Sequence, residues 1–327
     1  MEHRMLGRTG REVSVVGLGT WQLGGDWGTV DEDDALAILD ASVRAGVTLL
    51  DTADVYGDGR SERLIGRFLA ARPAEGVLVA TKMGRRVEQR PEHYTLDNFR
   101  AWTDRSRQNL GVDTLDLVQL HCPPTAVLET DAVYDTLDTL VAERRVAAYG
   151  VSVETCDQAL TAIARPNVAS VQIILNAFRR KPLERVLPAA LAAGVGIVAR
   201  VPLASGLLTG KFRPDTAFAA DDHRNFNRHG ASFDVGETFS GVDYETGLAA
   251  AAEFTRLVPA GASPAQAALR WVIQQPGVTT VIPGASSVEQ ATANATAAAL
   301  PELPEPALAA IAELYDRRIR AQVHHRW

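Results

Sequence analysis

Four residues in the first 121 positions carry groups that together could reduce a carbonyl: the carboxylate of Asp51, the phenol of Tyr56, the ammonium of Lys82 and the imidazole of His121. A phenol, with a reference pKa of about 10, is a poor acid at neutral pH unless its anion is stabilised, and a neighbouring cation in a water-poor site does this. Lys82 is therefore expected to lower the pKa of Tyr56, with Asp51 keeping Lys82 charged and in place. His121 can donate or accept a hydrogen bond at a substrate oxygen and so orient it. Singly, each has a plain structural explanation: Asp51 as a helix cap, Tyr56 as loop packing, Lys82 as a solvated charge, His121 as a satisfied core histidine. Their convergence favours chemistry. None of them supplies hydride, so the reaction calls for a nicotinamide.

The elements that must position these groups are legible as alternating patterns. Eight β-branched runs recur, at Val13–Leu18, Val47–Leu50, Val77–Ala80, Leu115–Leu120, Val146–Val151, Ala169–Ile174, Val195–Val201 and Val278–Ile282. Helical spacing fills most intervals, at Glu32–Ala45, Ser61–Leu69, Leu96–Leu110, Ala132–Glu143, Cys156–Ile163 and Leu183–Ala192. Such alternation implies right-handed βαβ units, and eight strands suit a closed (β/α)8 barrel of the TIM type. Asp51, Lys82, His121 and Ser152 follow or end their runs, and Gln172 lies in the sixth; in barrel enzymes that is the catalytic rim. Asp31 or Thr29 can cap the helix that ends at Gly46, Ser263-Pro264 opens another, and Gly111 and Gly194 stand where helices stop. His3–Leu6 and Arg11–Ser14, flanking Gly7-Arg8-Thr9-Gly10, predict a β-hairpin that caps the barrel bottom. Phe212–Gly247 lacks a long periodic face and is expected to form a lid. No repeat or low-complexity tract divides the chain, so one domain over residues 1–327 is expected.

Composition narrows the function classes. Lys and Arg number 33 against 40 Asp and Glu, a net charge of −7 that argues against nucleic acid or an anionic membrane as partner and leaves a small-molecule carbonyl. The two cysteines, Cys122 and Cys156, provide neither a disulfide framework nor a CxxC pair, which fits a reducing, cytoplasmic setting. No secretory signal or membrane-spanning run is visible. Gly17-Leu18-Gly19 lacks the third glycine of a Rossmann fingerprint and is not followed by an obvious helix. Gly206…Gly210-Lys211-Phe212 has the wrong spacing for a phosphate loop. No metal is expected, because neither His121-Cys122 nor His324-His325 has a third ligand at a suggestive spacing. A GxSxG elbow is also lacking. A barrel aldolase with Lys82 as Schiff-base nucleophile is the remaining chemical alternative.

The sequence resembles the aldo-keto reductase superfamily over nearly its whole length. The likeness rests on Gly17-Leu18-Gly19-Thr20-Trp21, Asp51…Tyr56-Gly57, Thr81-Lys82, Leu120-His121, Gly150-Val151-Ser152, Pro202 to Lys211, and Ile282-Pro283-Gly284-Ala285-Ser286. The run Ala199–Leu203 and the tail Val323–Trp327 look like the bacterial-type branch. The resemblance implies a catalytic tetrad of Asp51, Tyr56, Lys82 and His121, with NADPH/NADP+ as cofactor and NADH as a possible substitute. It implies Gly19, Thr20 and Trp21 near the cofactor, Ser152 and Gln172 at the nicotinamide amide, and Pro202, Leu203, Ser205, Gly206, Leu207 and Lys211 along the pyrophosphate. Gly284, Ser286, Gln290 and Asn294 would surround the adenosine end, with Ser286 and Ser287 able to bond a 2′-phosphate beside free helix N–H groups. Two positions depart from the family pattern. Val153 stands where many members have asparagine, and Arg200 where many carry an aromatic ring that stacks on the nicotinamide. The guanidinium could stack instead, with a charge that disfavours the oxidised ring. Trp21, Trp27, Tyr56, His121, Asn225 and Phe226, with Phe233, are candidates for the substrate pocket. A second functional class, a cofactor-binding regulatory subunit resembling potassium-channel β subunits, shares the Pro283–Ser287 segment.

Overall fold

The computed structural model describes residues 1–25, 30–72 and 76–327, so Trp27 and the alternative cap Thr29 lie outside the described residues. Two strands, β1 (His3–Met5) and β2 (Glu12–Ser14), pair antiparallel around a tight turn at Gly7–Thr9. Eight more follow: β3 (Leu18–Gly19), β4 (Leu49–Asp51), β5 (Leu78–Met83), β6 (Leu115–His121), β7 (Val146–Ser152), β8 (Val168–Ile174), β9 (Gly196–Arg200) and β10 (Thr280–Val281). From β4 onward each pairs in parallel with its predecessor in sequence order. The first and last then meet. Gly17 N–H donates to Val281 O (2.8 Å), Val281 N–H to Val15 O (3.0 Å) and Gly19 N–H to Pro283 O (3.0 Å), closing the (β/α)8 barrel. Gly19 is suited to this seam, since a Cβ there would lie 3.0 Å from Ile282 O.

One expected strand, Val13–Leu18, is two. Ser14 Oγ accepts from Thr48 N–H (2.9 Å) and donates to Val16 O (2.7 Å), turning the chain from the hairpin into the barrel within a run whose other residues are apolar. Helix ends follow their caps closely. Helix Glu32–Arg44 is capped by Asp31, helix Leu96–Leu110 runs from Thr95 to a left-handed Gly111, and helices Cys156–Ile163 and Pro264–Ile273 each start in a capping box. A single helical turn, Trp21–Gly24, follows Thr20 where no helix was expected. Among the described residues, no helix is long and apolar enough to cross a membrane.

Leu6 and Val13 of the hairpin are fully buried against Leu49, Leu78, Leu117, Val198 and Ile282 inside the barrel. Each such side chain contributes about 1.5–3 kcal/mol on leaving water, which holds the hairpin as a floor. Gly7 makes the approach possible, because a Cβ there would lie 1.9 Å from Ala169 O and 2.3 Å from Gly196 N. With the lower barrel filled by apolar groups, the polar inward residues gather at the strands' C-terminal ends.

Candidate active site

Lys82, near the end of β5, donates from Nζ to Asp51 Oδ1 at the end of β4 (2.5 Å) and to Thr52 O (2.8 Å). The other Asp51 oxygen accepts from Gln172 Nε2 of β8 (2.7 Å), so one carboxylate ties β5 to a strand across the barrel. Both members of the ion pair are almost wholly buried, a situation tolerated when the remaining valences are satisfied, as they are here. Burial works against the Lys82 charge, but Asp51 and Tyr56 outweigh it and hold the ammonium above its ordinary pKa. A Schiff-base nucleophile needs a neutral amine, so this environment disfavours the aldolase alternative.

Tyr56 lies over that ammonium, with Nζ 5.2 Å from its ring centroid. Its ring stacks on Trp21 (6.0 Å between centroids, 20° between planes) and meets His121 edge-on (5.9 Å, 82°). Burial raises the phenol above its ordinary value, with Lys82 pulling the other way. The expected net lowering therefore does not occur: desolvating a phenolate outweighs the attraction of an ammonium whose charge Asp51 already offsets. The phenol is kept protonated, the form a proton donor needs. His121 is pushed well below its ordinary pKa by burial, then by Arg85, Lys82 and Arg200, so its ring is neutral at pH 7.

Arg200 does not present a free guanidinium. It pairs with Glu154 (3.0 Å) and Glu237 (2.5 Å) and donates to Val153 O (3.1 Å). Burial opposes its charge, but the two glutamates hold it well above its ordinary value. Cys122, Glu154 and Glu237 bring a thiol and two carboxylates within 4.8 Å of one another, and the guanidinium is the cation already bound among them. Val153 contributes only its carbonyl here, its side chain being buried in the core.

These groups open into one cavity of about 620 Å³. Along it lie Gly19, Thr20, Trp21, Ser152, Gln172, Arg200, Pro202, Leu203, Ser205, Gly206 and Lys211, and at its far end Gly284, Ser286, Gln290 and Asn294. Several of these side chains already have protein partners. Gln172 holds Asp51, Ser205 Oγ donates to Glu237 O (2.9 Å), and Asn294 Nδ2 donates to Gly284 O (3.1 Å). Ser287 caps helix Val288–Thr296, and Ser286 donates to Gln290 Oε1 (3.2 Å).

Three expected positions fall elsewhere. Leu207 is buried in the apolar core rather than on the cavity wall. Asn225 and Phe226 are not part of the wall either. The short helix His223–Phe226 buries His223, while Phe226 stays 41% exposed and Asn225 bonds Ala219 O (3.3 Å). Phe233 takes the inward place, its ring 5.8 Å from that of Trp21. The interval expected as a lid contains three short helical turns, and its end belongs to helix Tyr244–Arg256, capped by Asp243. Phe212, Arg224, Phe233 and Glu237 of this interval line the cavity. Arg85, Glu154 and Glu237 were missed in the sequence. Arg85 stands only three residues past Lys82, a signal that reading beyond the strand end would have found. Glu237 lies in an irregular segment that offers no spacing to read.

The chain is 31% identical over 292 residues to the aldo-keto reductase YhdN from Bacillus subtilis, covering 87% of this chain and 85% of that protein. A glycerol dehydrogenase from Gluconobacter oxydans superposes with a TM-score of 0.77 at 30% identity, covering 97% of this chain and 95% of that one. An aldo-keto reductase from Klebsiella pneumoniae, solved in complex with NADPH, superposes with a TM-score of 0.70 at 25% identity, covering 96% of each chain. The Aldo/keto reductase family model matches residues 15–316, and the chain belongs to that family of oxidoreductases.

Proposed function

We propose that this protein reduces aldehydes or ketones to alcohols with NADPH, Tyr56 acting as general acid. The observation that carries the reading is the buried Lys82–Asp51 pair beneath Tyr56, with His121 across the ring, at the inner end of a long cavity. The cavity suits a dinucleotide. It runs from the Asp51 end to the nine-residue helix Val288–Thr296, past the left-handed Gly206 and the ammonium of Lys211. NADPH, when bound, supplies hydride to the carbonyl carbon.

The chain's own residues do the rest. Trp21 and Phe233 form an aromatic wall that excludes water. Neutral His121 orients the carbonyl oxygen, and Tyr56 delivers its proton to that oxygen as negative charge develops. Lys82 stabilises the phenolate left behind, and Asp51 keeps the ammonium aimed. Gln172 serves first to fix Asp51, and Ser152 remains to meet the nicotinamide amide. Ser286 and Ser287, beside the N-terminus of helix Val288–Thr296, favour the phosphorylated dinucleotide over NADH, and Lys211 holds the pyrophosphate that both share.

NADPH oxidation against a panel of aldehydes and ketones tests this, with NADH run in parallel. Tyr56→Phe should lower turnover by roughly 10²- to 10⁴-fold while NADPH binding, followed by its fluorescence, changes little. A variant that reduced a reactive aldehyde at the parental rate would remove Tyr56 from the mechanism. Tight NADPH binding with no turnover on any carbonyl, plus a stable hetero-complex, would favour the regulatory-subunit class.

A further inference from the structure

The cavity holds a cation, Arg85, to which the reduction assigns no contact with substrate. Arg85 follows the left-handed Gly84 after β5 and lines the same wall as Tyr56 and His121, its side chain 28% exposed. Its Nε donates to the backbone carbonyl of His121 (3.3 Å), which places the guanidinium beside the residue that orients the carbonyl. The nearest carboxylate recorded for Arg85 is Glu154, at 3.9 Å. Glu154 itself lies closer to Arg200 (3.0 Å), and Glu237 closer still (2.5 Å), so Arg200 engages both acids. Arg85 is held charged by Glu237 and by Glu154, its one ion-pair partner among the described residues at 3.9 Å, while both acids lie closer to Arg200. At 3.9 Å the Arg85–Glu154 pair leaves the short, charge-assisted hydrogen bonds of the fork to a carboxylate unmade. A guanidinium's planar fork matches a carboxylate, and it faces the space where a substrate would sit.

Resting on the carbonyl-reducing reading of this cavity, we propose that Arg85 selects substrates that carry a carboxylate. These are short oxo acids, with the aldehyde or ketone between Tyr56 and His121 and the carboxylate on the Arg85 guanidinium. The aromatic wall of Trp21 and Phe233 then flanks the short carbon chain between the two polar ends.

The test compares kcat/KM for 4-oxobutanoate and for its uncharged methyl ester in the parent, Arg85→Met and Arg85→Lys. The parent should prefer the acid roughly ten- to hundredfold, the range of a charge-assisted hydrogen bond. Arg85→Met should bring the ratio close to one, and Arg85→Lys should keep part of it, since the charge remains while the fork is lost. A ratio between two substrates cancels any general loss of active protein. Should Arg85→Met fail to fold, the parent alone still decides: its KM for the acid should rise with ionic strength while that for the ester stays flat. A parent that reduces the ester as well as the acid, or a preference that survives in Arg85→Met, overturns the assignment while leaving carbonyl reduction intact. If no aldehyde, charged or neutral, is reduced, the broader reading falls and this one with it.

Discussion

Two buried ion-pair clusters stand side by side at the barrel mouth, and they are built in different ways. Lys82 and Asp51 come from adjacent strands whose register pairs Asp51 with Ala80, so backbone hydrogen bonds set their spacing before any side chain is placed. Arg200 also ends a strand, but Glu154 follows β7 in a loop and Glu237 reaches in from the irregular segment after Phe212. The first cluster is as rigid as the sheet. The second fastens a loop to the sheet, helped by Ser205, whose hydroxyl donates to Glu237 O (2.9 Å) and accepts from Phe239 N–H (3.0 Å). The ion pair beneath Tyr56 sits on the sheet, although Tyr56 itself stands in the turn after β4, and the charges that anchor a covering segment sit largely on loops.

The sharpest way to break this comparison is Lys82→Met. It leaves Asp51 charged and buried without its cation and should cost about 3–5 kcal/mol in denaturant unfolding. Adding Asp51→Asn should recover much of that loss, and failure to recover would mean the pair is not the unit described. Asp54 is the contrasting case, a buried carboxyl that among the described residues accepts no side-chain hydrogen bond. Its cationic neighbours Arg86 and Arg105 pair instead with Asp58, at 2.7 Å each. Burial, then the charge of Glu62, pushes its pKa up to about 7. The folded state therefore holds a proton that the unfolded chain releases near pH 3.8, and stability falls as pH rises from about 4 to about 7. Asp54→Asn should raise unfolding stability at pH 8 by up to about 4 kcal/mol and change it little at pH 4. Equal effects at both pH values would mean the carboxyl is ionised or paired throughout. The smallest effect is expected in the looser cluster. Glu237→Gln keeps a hydrogen-bond acceptor near Arg200 but removes its charge, and should cost about 1–3 kcal/mol. It should also speed NADPH dissociation in stopped flow more than Lys82→Met does, because it loosens the segment over the cavity. The reverse order would contradict the division of labour.

The same division explains what was legible in the sequence. Asp51, Lys82 and His121 could be found because a strand end is a position, readable from where an apolar run stops. Helices Leu96–Leu110 and Cys156–Ile163 were readable to the residue because Thr95 and Gly111, or Thr155 with Gln158, mark their ends chemically. The split of Val13–Leu18 was hidden, since Ser14 is the one polar residue in the run and its bonds to Thr48 and Val16 exist only in the fold. Asn225, Phe226 and Phe233 are equal candidates in the sequence and only Phe233 lines the cavity, because an irregular segment has no period to say which side chain faces inward. The lowering expected for Tyr56 also failed for a reason spacing does not carry: the depth at which the ring is enclosed.

The hairpin at the base has a consequence for traffic. With Gly7 pressed on β8 and β9, and with Leu6 and Val13 filling the lower lumen, the barrel is stoppered at one end. Guests of the cavity described here share the doorway at the other end. Where two guests use that doorway together, the one that settles deeper comes in first and leaves last.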